Sequence, residues 1–171
     1  MKGFDYSSDN LYFVTICVKN GLCCFGEVAK EIEVEEPIND VVKSHSDALN
    51  FKMKLNAFGS IVKDRILWLE VQYAHVRIHN FVVMPNHVHL ILEIDRSAVS
   101  KEIKIKPLSG LIGALKTTSS KLIHLEGFID FAWHRSFHDR IIRTQNAYRN
   151  ILKYIDMNPQ KWHLDTMYSK L

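Results

Sequence analysis

Two histidines one residue apart, His87 and His89, follow a Pro85-Asn86 turn and sit at the start of an apolar run through Val88, Leu90, Ile91 and Leu92. Side chains alternate across a strand, so the two imidazoles share one face while Val88, Leu90 and Leu92 point to the other, into a core. The expected setting is therefore the exposed face of a well-anchored strand. Two imidazoles held side by side on a fixed backbone can grip a divalent cation. An isolated His-x-His is more often a pair of surface histidines. Two ligands also leave a metal site incomplete, so a third must come from elsewhere in the chain.

A second pair of chemical interest lies near the end. At about 100° per residue, Tyr154 and Asn158 fall on one flank of a helix, one turn apart, beside an apolar stripe of Tyr148, Ile151, Leu152 and Ile155. A phenol and a carboxamide placed this way offer a nucleophile and a metal ligand. On spacing alone the plainer reading is a rim tyrosine and a helix C-cap. A residue before proline avoids the α region, so Asn158, followed by Pro159, stands where the chain is expected to leave the helix.

Composition sets the outer limits. The chain has 171 residues, of which 47% are hydrophobic, with 7 Gly and 4 Pro, as befits one ordinary globular domain over residues 1–171 with a sizeable core. No apolar run is long enough to span a membrane, and the first residues lack the apolar stretch of a signal peptide. Cys17, Cys23 and Cys24 are odd in number and form no Cys-x-x-Cys, so a reduced, cytoplasmic protein is expected, without a disulfide framework or a cysteine zinc site. The formal net charge is +3, and it is uneven: residues 1–100 carry −3 and residues 101–171 carry +6. A basic C-terminal half fits a polyanionic partner, of which nucleic acid is the commonest, and fits a plain solvated surface equally well.

The elements that must position these residues follow from periodicity. Residues 11–18 read as a strand, near-continuously apolar and β-branched, and Asn20-Gly21 marks a turn. Residues 27–37 are acidic and read as loop or weak edge structure, and 39–49 as a short helix. Residues 56–73 carry Phe58, Ile61, Val62, Ile66, Leu69 and Tyr73 at helical spacing, with Asn56 as cap. Residues 76–84 and 87–94 form an antiparallel pair around Pro85-Asn86. Residues 95–108 are polar, a loop or basic ribbon with Lys101, Lys104 and Lys106. Ser109 is the expected cap of a helix over 110–124, with Leu111, Ile112, Leu115 and Leu122 inward and Lys116 and Lys121 outward. Residues 136–142 form a last strand. Thr144 caps a helix from 145 to about 157, ended by Pro159.

The order is β-α-β-β-α-β with a terminal helix added, the ferredoxin-like α+β pattern: an antiparallel sheet with both crossover helices on one face. The first and third strands are then central. The histidines stand mid-sheet on the face the crossover helices leave free.

Met84-Pro85-Asn86-His87-Val88-His89 resembles the His-hydrophobic-His ("HUH") signature of the single-tyrosine transposases. Tyr154-Ile155-Asp156-Met157-Asn158-Pro159 resembles the segment around their catalytic tyrosine. Asp5-Tyr6, the strand Tyr12 to Ile16, Phe25-Gly26 and the Trp133 to Asp139 stretch bring the chain nearest to the REP-associated tyrosine transposases. The resemblance covers nearly the whole chain. It implies that His87 and His89 bind the metal, that Tyr154 is the nucleophile, and that Asn158 takes the place of the third, amide ligand, where many relatives have Gln. It implies a substrate of single-stranded DNA beside a hairpin, nicked and rejoined through a 5′-phosphotyrosine without ATP.

Neutral imidazoles and an amide oxygen suit Mg²⁺ or Mn²⁺. The DNA is expected to run over the basic half, with Lys101, Lys104, Lys106, Lys116, Lys121, Arg135, Arg140 and Arg143 as phosphate contacts and Trp133 and His134 stacking on an unpaired base. His138 and Asp139 are placed as neighbours of the ligands. A monomer or a homodimer is expected. The runner-up is a host-adapted DNA-hairpin-binding protein of the same fold. A different class is a small metal-dependent hydrolase using His87, His89 and a carboxylate such as Asp139.

Overall fold

The computed structural model describes residues 10–30, 50–100 and 102–165. Four strands form the main sheet: β1 (Asn10–Cys17), β4 (Val76–Val83), β5 (His87–Ile94) and β6 (His138–Ile141). Their order across the sheet is β4-β5-β1-β6, and all neighbours run antiparallel. Strands β1 and β5 are therefore central, as the expected β-α-β-β-α-β order requires. Their register pairs Thr15 with His89 and Cys17 with His87.

Helices α1 (Ala57–Gln72) and α2 (Leu108–Leu125) pack together on one face. Val62, Ile66 and Leu69 of α1 and Leu108, Leu111 and Leu115 of α2 meet Tyr12, Val14, Ile16, Val88, Leu90 and Leu92 of the sheet, all fully buried. The α1 cap is as expected, since the Asn56 side chain accepts from the Gly59 N–H. The α2 start is not. The helix begins at Leu108, after Pro107, without a side-chain cap, and Ser109 lies inside it. Leu108 is buried in the core and Pro107 has no N–H to satisfy, so packing fixes the start and leaves a serine cap no task. Ile123 is buried where Leu122 was expected to be.

The opposite face is not open. Helix α3 (Gln145–Asp156), with Thr144 accepting from the Ala147 N–H at its start, lies across it. Ile155 packs against Ile91 and Ile142, with Leu11, Phe13, Tyr148, Ile151 and Leu152 around them. Tyr148 is half-buried rather than buried, and its phenol meets His79 Nδ1 at 3.1 Å. His87 and His89, expected on an exposed face, are 0% and 2% exposed. The amphipathic stripe of α3 has to cover apolar surface somewhere, and the Phe13, Ile91 and Ile142 patch beside the histidines is where it does so.

A second, two-stranded sheet was not foreseen. β2 (Gly26–Lys30) pairs with β3 (Phe51–Leu55). The first is only five residues long and borders an acidic run in the sequence, and its partner lies far along the chain. Gly26, of the Phe25-Gly26 pair, has φ +131°, and a Cβ there would sit 2.1 Å from the Lys54 carbonyl oxygen, so glycine is required. The expected helix over 39–49 lies outside the described residues. After α3 the chain continues as a 3₁₀ turn, Pro159–Leu164. Asn158 keeps helical angles, φ −60° and ψ −44°, despite the proline that follows.

Candidate metal and tyrosine site

The geometry begins one residue before the histidines. Asn86 Nδ2 donates to the Gly21 carbonyl at 3.0 Å, which turns Asn86 Oδ1 toward His87 Nδ1 at 2.8 Å. An amide oxygen only accepts, so Nδ1 of His87 carries the proton and Nε2 presents its lone pair. That Nε2 is buried without a hydrogen-bond partner among the described residues. His89 Nδ1 meets the Thr15 hydroxyl at 2.8 Å, and its Nε2 meets the Tyr154 phenol at 3.1 Å. The two imidazoles stand 4.5 Å apart, centroid to centroid. Burial lowers the pKa of His87 to about 4 and that of His89 to about 3, the charge of the neighbouring His87 adding to the second. Both rings are neutral at pH 7, the form that binds a metal.

Tyr154 and Asn158 come from the far end of the chain to the same place. Phe13 contacts both His89 and Tyr154, stacked on the first at 5.4 Å and edge-on to the second at 6.0 Å. Tyr154 is 45% exposed, so its ring reaches from the buried site out to solvent. The Asn158 side chain bonds to the phenol and lowers its pKa, but burial and the Asp165 charge outweigh that and raise it. The phenol is thus protonated at neutral pH. Asn158 is 3% exposed, and its Oδ1 has no hydrogen-bond partner among the described residues.

Two orphaned acceptors, His87 Nε2 and Asn158 Oδ1, are costly in a folded protein unless something binds them. Together with His89 they form a donor set that fits a divalent ion. Sequence reasoning missed a further member. The donor atoms of His87, His89 and Asp165 lie within 4.8 Å of one another. Asp165 sits in what reads as a featureless tail, and the packing of Trp162 on His87, at 5.8 Å, helps to bring it back.

Two grooves open at Tyr154. One, of about 440 Å³, is lined by Lys153, Tyr154, Asn158, Lys161 and Asp165 among others. The other, of about 330 Å³, is lined by Phe13, Thr15, His138, Arg140 and Tyr154 among others. A strand long enough to cross both would pass over the phenol.

The chain is 30% identical over 182 aligned positions to an uncharacterised protein of Haemophilus influenzae (strain ATCC 51907 / DSM 11121 / KW20 / Rd), an alignment taking in 98% of this chain and 90% of that protein. The chain belongs to that protein's family. No family model matches it. Among solved structures it is similar to a REP-associated tyrosine transposase bound to a REP hairpin, with a TM-score of 0.54 and 18% identity over 90% of this chain and 68% of that one. The fold is that of a tyrosine transposase.

On this fold the expected DNA contacts divide. Lys104, Lys121, His134, Arg135, Arg140 and Arg143 are exposed. Lys116 is not an outward charge. Its ammonium donates to the carbonyls of His134 and Ser136 at 2.9 Å each and so fastens the loop before β6. Trp133 cannot stack on a base: it is 8% exposed, lies 5.2 Å from Phe25 and donates to Ser119 Oγ. Lys106 is half-buried over the Tyr73 ring. Lys101 lies outside the described residues. Lys153 and Lys161, missed in the sequence, line the groove at Tyr154. Their signal was proximity to the tyrosine.

Asp139 pairs with Val14, whose side chain is on the face away from His89, and it takes no part in the histidine group. The carboxylate beside His87 and His89 is that of Asp165, not Asp139. Among the described residues none of the three cysteines forms a disulfide, and burial raises the pKa of each, that of Cys24 to about 12. No helix among the described residues is long and apolar enough to cross a membrane.

Proposed function

We propose that this protein is a transposase-type enzyme that nicks and rejoins single-stranded DNA beside a hairpin, with Tyr154 as nucleophile and His87, His89 and Asn158 holding Mg²⁺ or Mn²⁺. The observation that carries this reading is the 3.1 Å contact between the Tyr154 phenol and His89 Nε2. It joins the nucleophile to one of the donors of a set whose other members are orphaned acceptors. The similar fold solved with a REP hairpin supports the choice of DNA.

Each residue has a task in the step. The Tyr154 oxygen forms a bond to phosphorus while the P–O3′ bond breaks, leaving a 3′-OH on one strand and a 5′-phosphotyrosine on the other. The phenolic proton passes to solvent along the exposed edge of the ring, and the departing O3′ takes up a proton from solvent. Phe13 and the Asn158 side chain hold the ring in place. His87, fixed by Asn86, and His89, fixed by Thr15, keep their lone pairs aimed inward. The bound ion would polarise the scissile phosphate and stabilise the charge that develops on it. Arg140, Lys153 and Lys161 flank the phenol and are placed to meet the phosphates on either side. The phosphotyrosine conserves the energy of the broken bond, so a second 3′-OH reverses the step and joins a new strand without ATP.

Hairpin-bearing single-stranded DNA and Mn²⁺ supply the test. A denaturing gel should show a protein–DNA adduct with the wild type and none with Tyr154→Phe, which removes one oxygen and keeps the ring. The variant should still bind the DNA. An adduct of normal yield from Tyr154→Phe would sink the proposal.

A further inference from the structure

We propose that Asp165 is a fourth side-chain ligand of the ion, so that the centre is built from His87, His89, Asn158 and Asp165. The inference rests on the reading of the histidines as an ion site and extends it to a segment of the chain that reading leaves without a task.

Distance is the first argument. Donors bound at about 2.1 Å to one octahedral ion lie about 3 Å apart when adjacent and about 4.2 Å apart when opposite. The donor atoms of His87, His89 and Asp165 are already within 4.8 Å of one another, and among the described residues they form the one such trio. A small side-chain adjustment closes the gap.

The segment carrying Asp165 is fastened. Gln160 bonds both polar groups of the Phe51 backbone, accepting from its N–H at 3.0 Å and donating to its carbonyl at 3.0 Å, and donates to Asn50 Oδ1 at 2.7 Å. This ties the 3₁₀ turn to the start of β3. Two residues on, Trp162 is 9% exposed and packs on the His87 ring. The Asp165 N–H then donates to the Trp162 carbonyl at 3.0 Å. The carboxylate is thus delivered to the histidines by two anchors, one on the second sheet and one on a ligand ring.

Charge is the third argument. Two imidazoles and an amide are neutral, and Mg²⁺ and Mn²⁺ favour carboxylate oxygen. A doubly charged ion among neutral groups at a buried site lacks compensation. One carboxylate lowers the net charge of the centre to +1, which still attracts a phosphodiester. Its field already reaches both His87 and Tyr154.

The test is Mn²⁺ titration of the full chain by calorimetry without DNA, with apo unfolding followed in parallel. Wild type and Asp130→Asn, an exposed acid elsewhere, should bind one ion alike. Asp165→Asn and Asp165→Ser should bind roughly ten-fold more weakly or worse, and Asp165→Glu should recover part of the loss. Cooperative apo unfolding of each variant, followed in parallel, separates loss of the ligand from loss of the fold. Wild-type affinity in both the Asn and Ser variants would overturn the proposal and leave the histidine site standing. A folded wild type that binds no Mn²⁺ would overturn the ion site itself.

Discussion

The imidazoles are set by their neighbours before any ion arrives. Gly21 orients Asn86, and Asn86 fixes the tautomer of His87. This arrangement makes stability depend on pH in a defined direction. The folded-state pKa values of about 4 and about 3 lie below the ordinary 6.5. The unfolded chain therefore binds protons that the folded chain refuses. The stabilisation is complete above pH 6.5 and is lost as pH falls through the window down to about 3. Urea unfolding of the apo protein should show the midpoint dropping between pH 7 and pH 4.5. A His87→Gln/His89→Gln variant should show a smaller drop, and an equal drop would mean that other groups carry the acid sensitivity. Alanine at either position removes a buried ring and leaves a cavity, so those variants should lose stability as well as activity.

Helix α3 is what brings Tyr154 to the histidine face. Thr144 caps its start, the Tyr148 phenol meets His79, which pairs in turn with Glu93 at 2.8 Å, and Asn80 donates to Asp156 at 2.8 Å near its end. Thr144→Ala should cost about 1 kcal/mol of stability, read from denaturant midpoints. Adduct yield should fall far less than in Tyr154→Phe, because the Asn80–Asp156 bond still holds the turn that carries the tyrosine. A loss as complete as that of Tyr154→Phe would mean that the cap itself positions the phenol. The caps Asn56 and Thr144 were legible in the sequence because a short polar side chain stands directly before the apolar period, whereas at Ser109 the same signal was overridden by the burial of Leu108. The docking of α3 was not legible. An amphipathic stripe says that a helix buries one side and leaves open what it buries it against, so the histidines appeared exposed. The β2–β3 pairing was hidden for a related reason, since its partners are distant in sequence and the first is short and borders an acidic run.

At the scale of the whole molecule, the strand order, the pairing around Pro85-Asn86 and the meeting of His87, His89, Tyr154 and Asn158 followed from periodicity and from the resemblance of two short motifs. Charge was legible only as a sum. The basic half is real, but Lys116 spends its ammonium on backbone carbonyls and Trp133 belongs to the core, and nothing in a residue count separates such groups from free ones. Asp165 escaped notice because its use depends on Trp162 folding back onto His87. All of these parts converge on one atom, the Tyr154 oxygen. The most direct test is to digest the adduct formed with hairpin DNA in Mn²⁺ and locate the nucleotide by mass spectrometry. The account predicts a single modified peptide with the nucleotide on Tyr154 and none on Tyr148. A nucleotide on any other residue would contradict it.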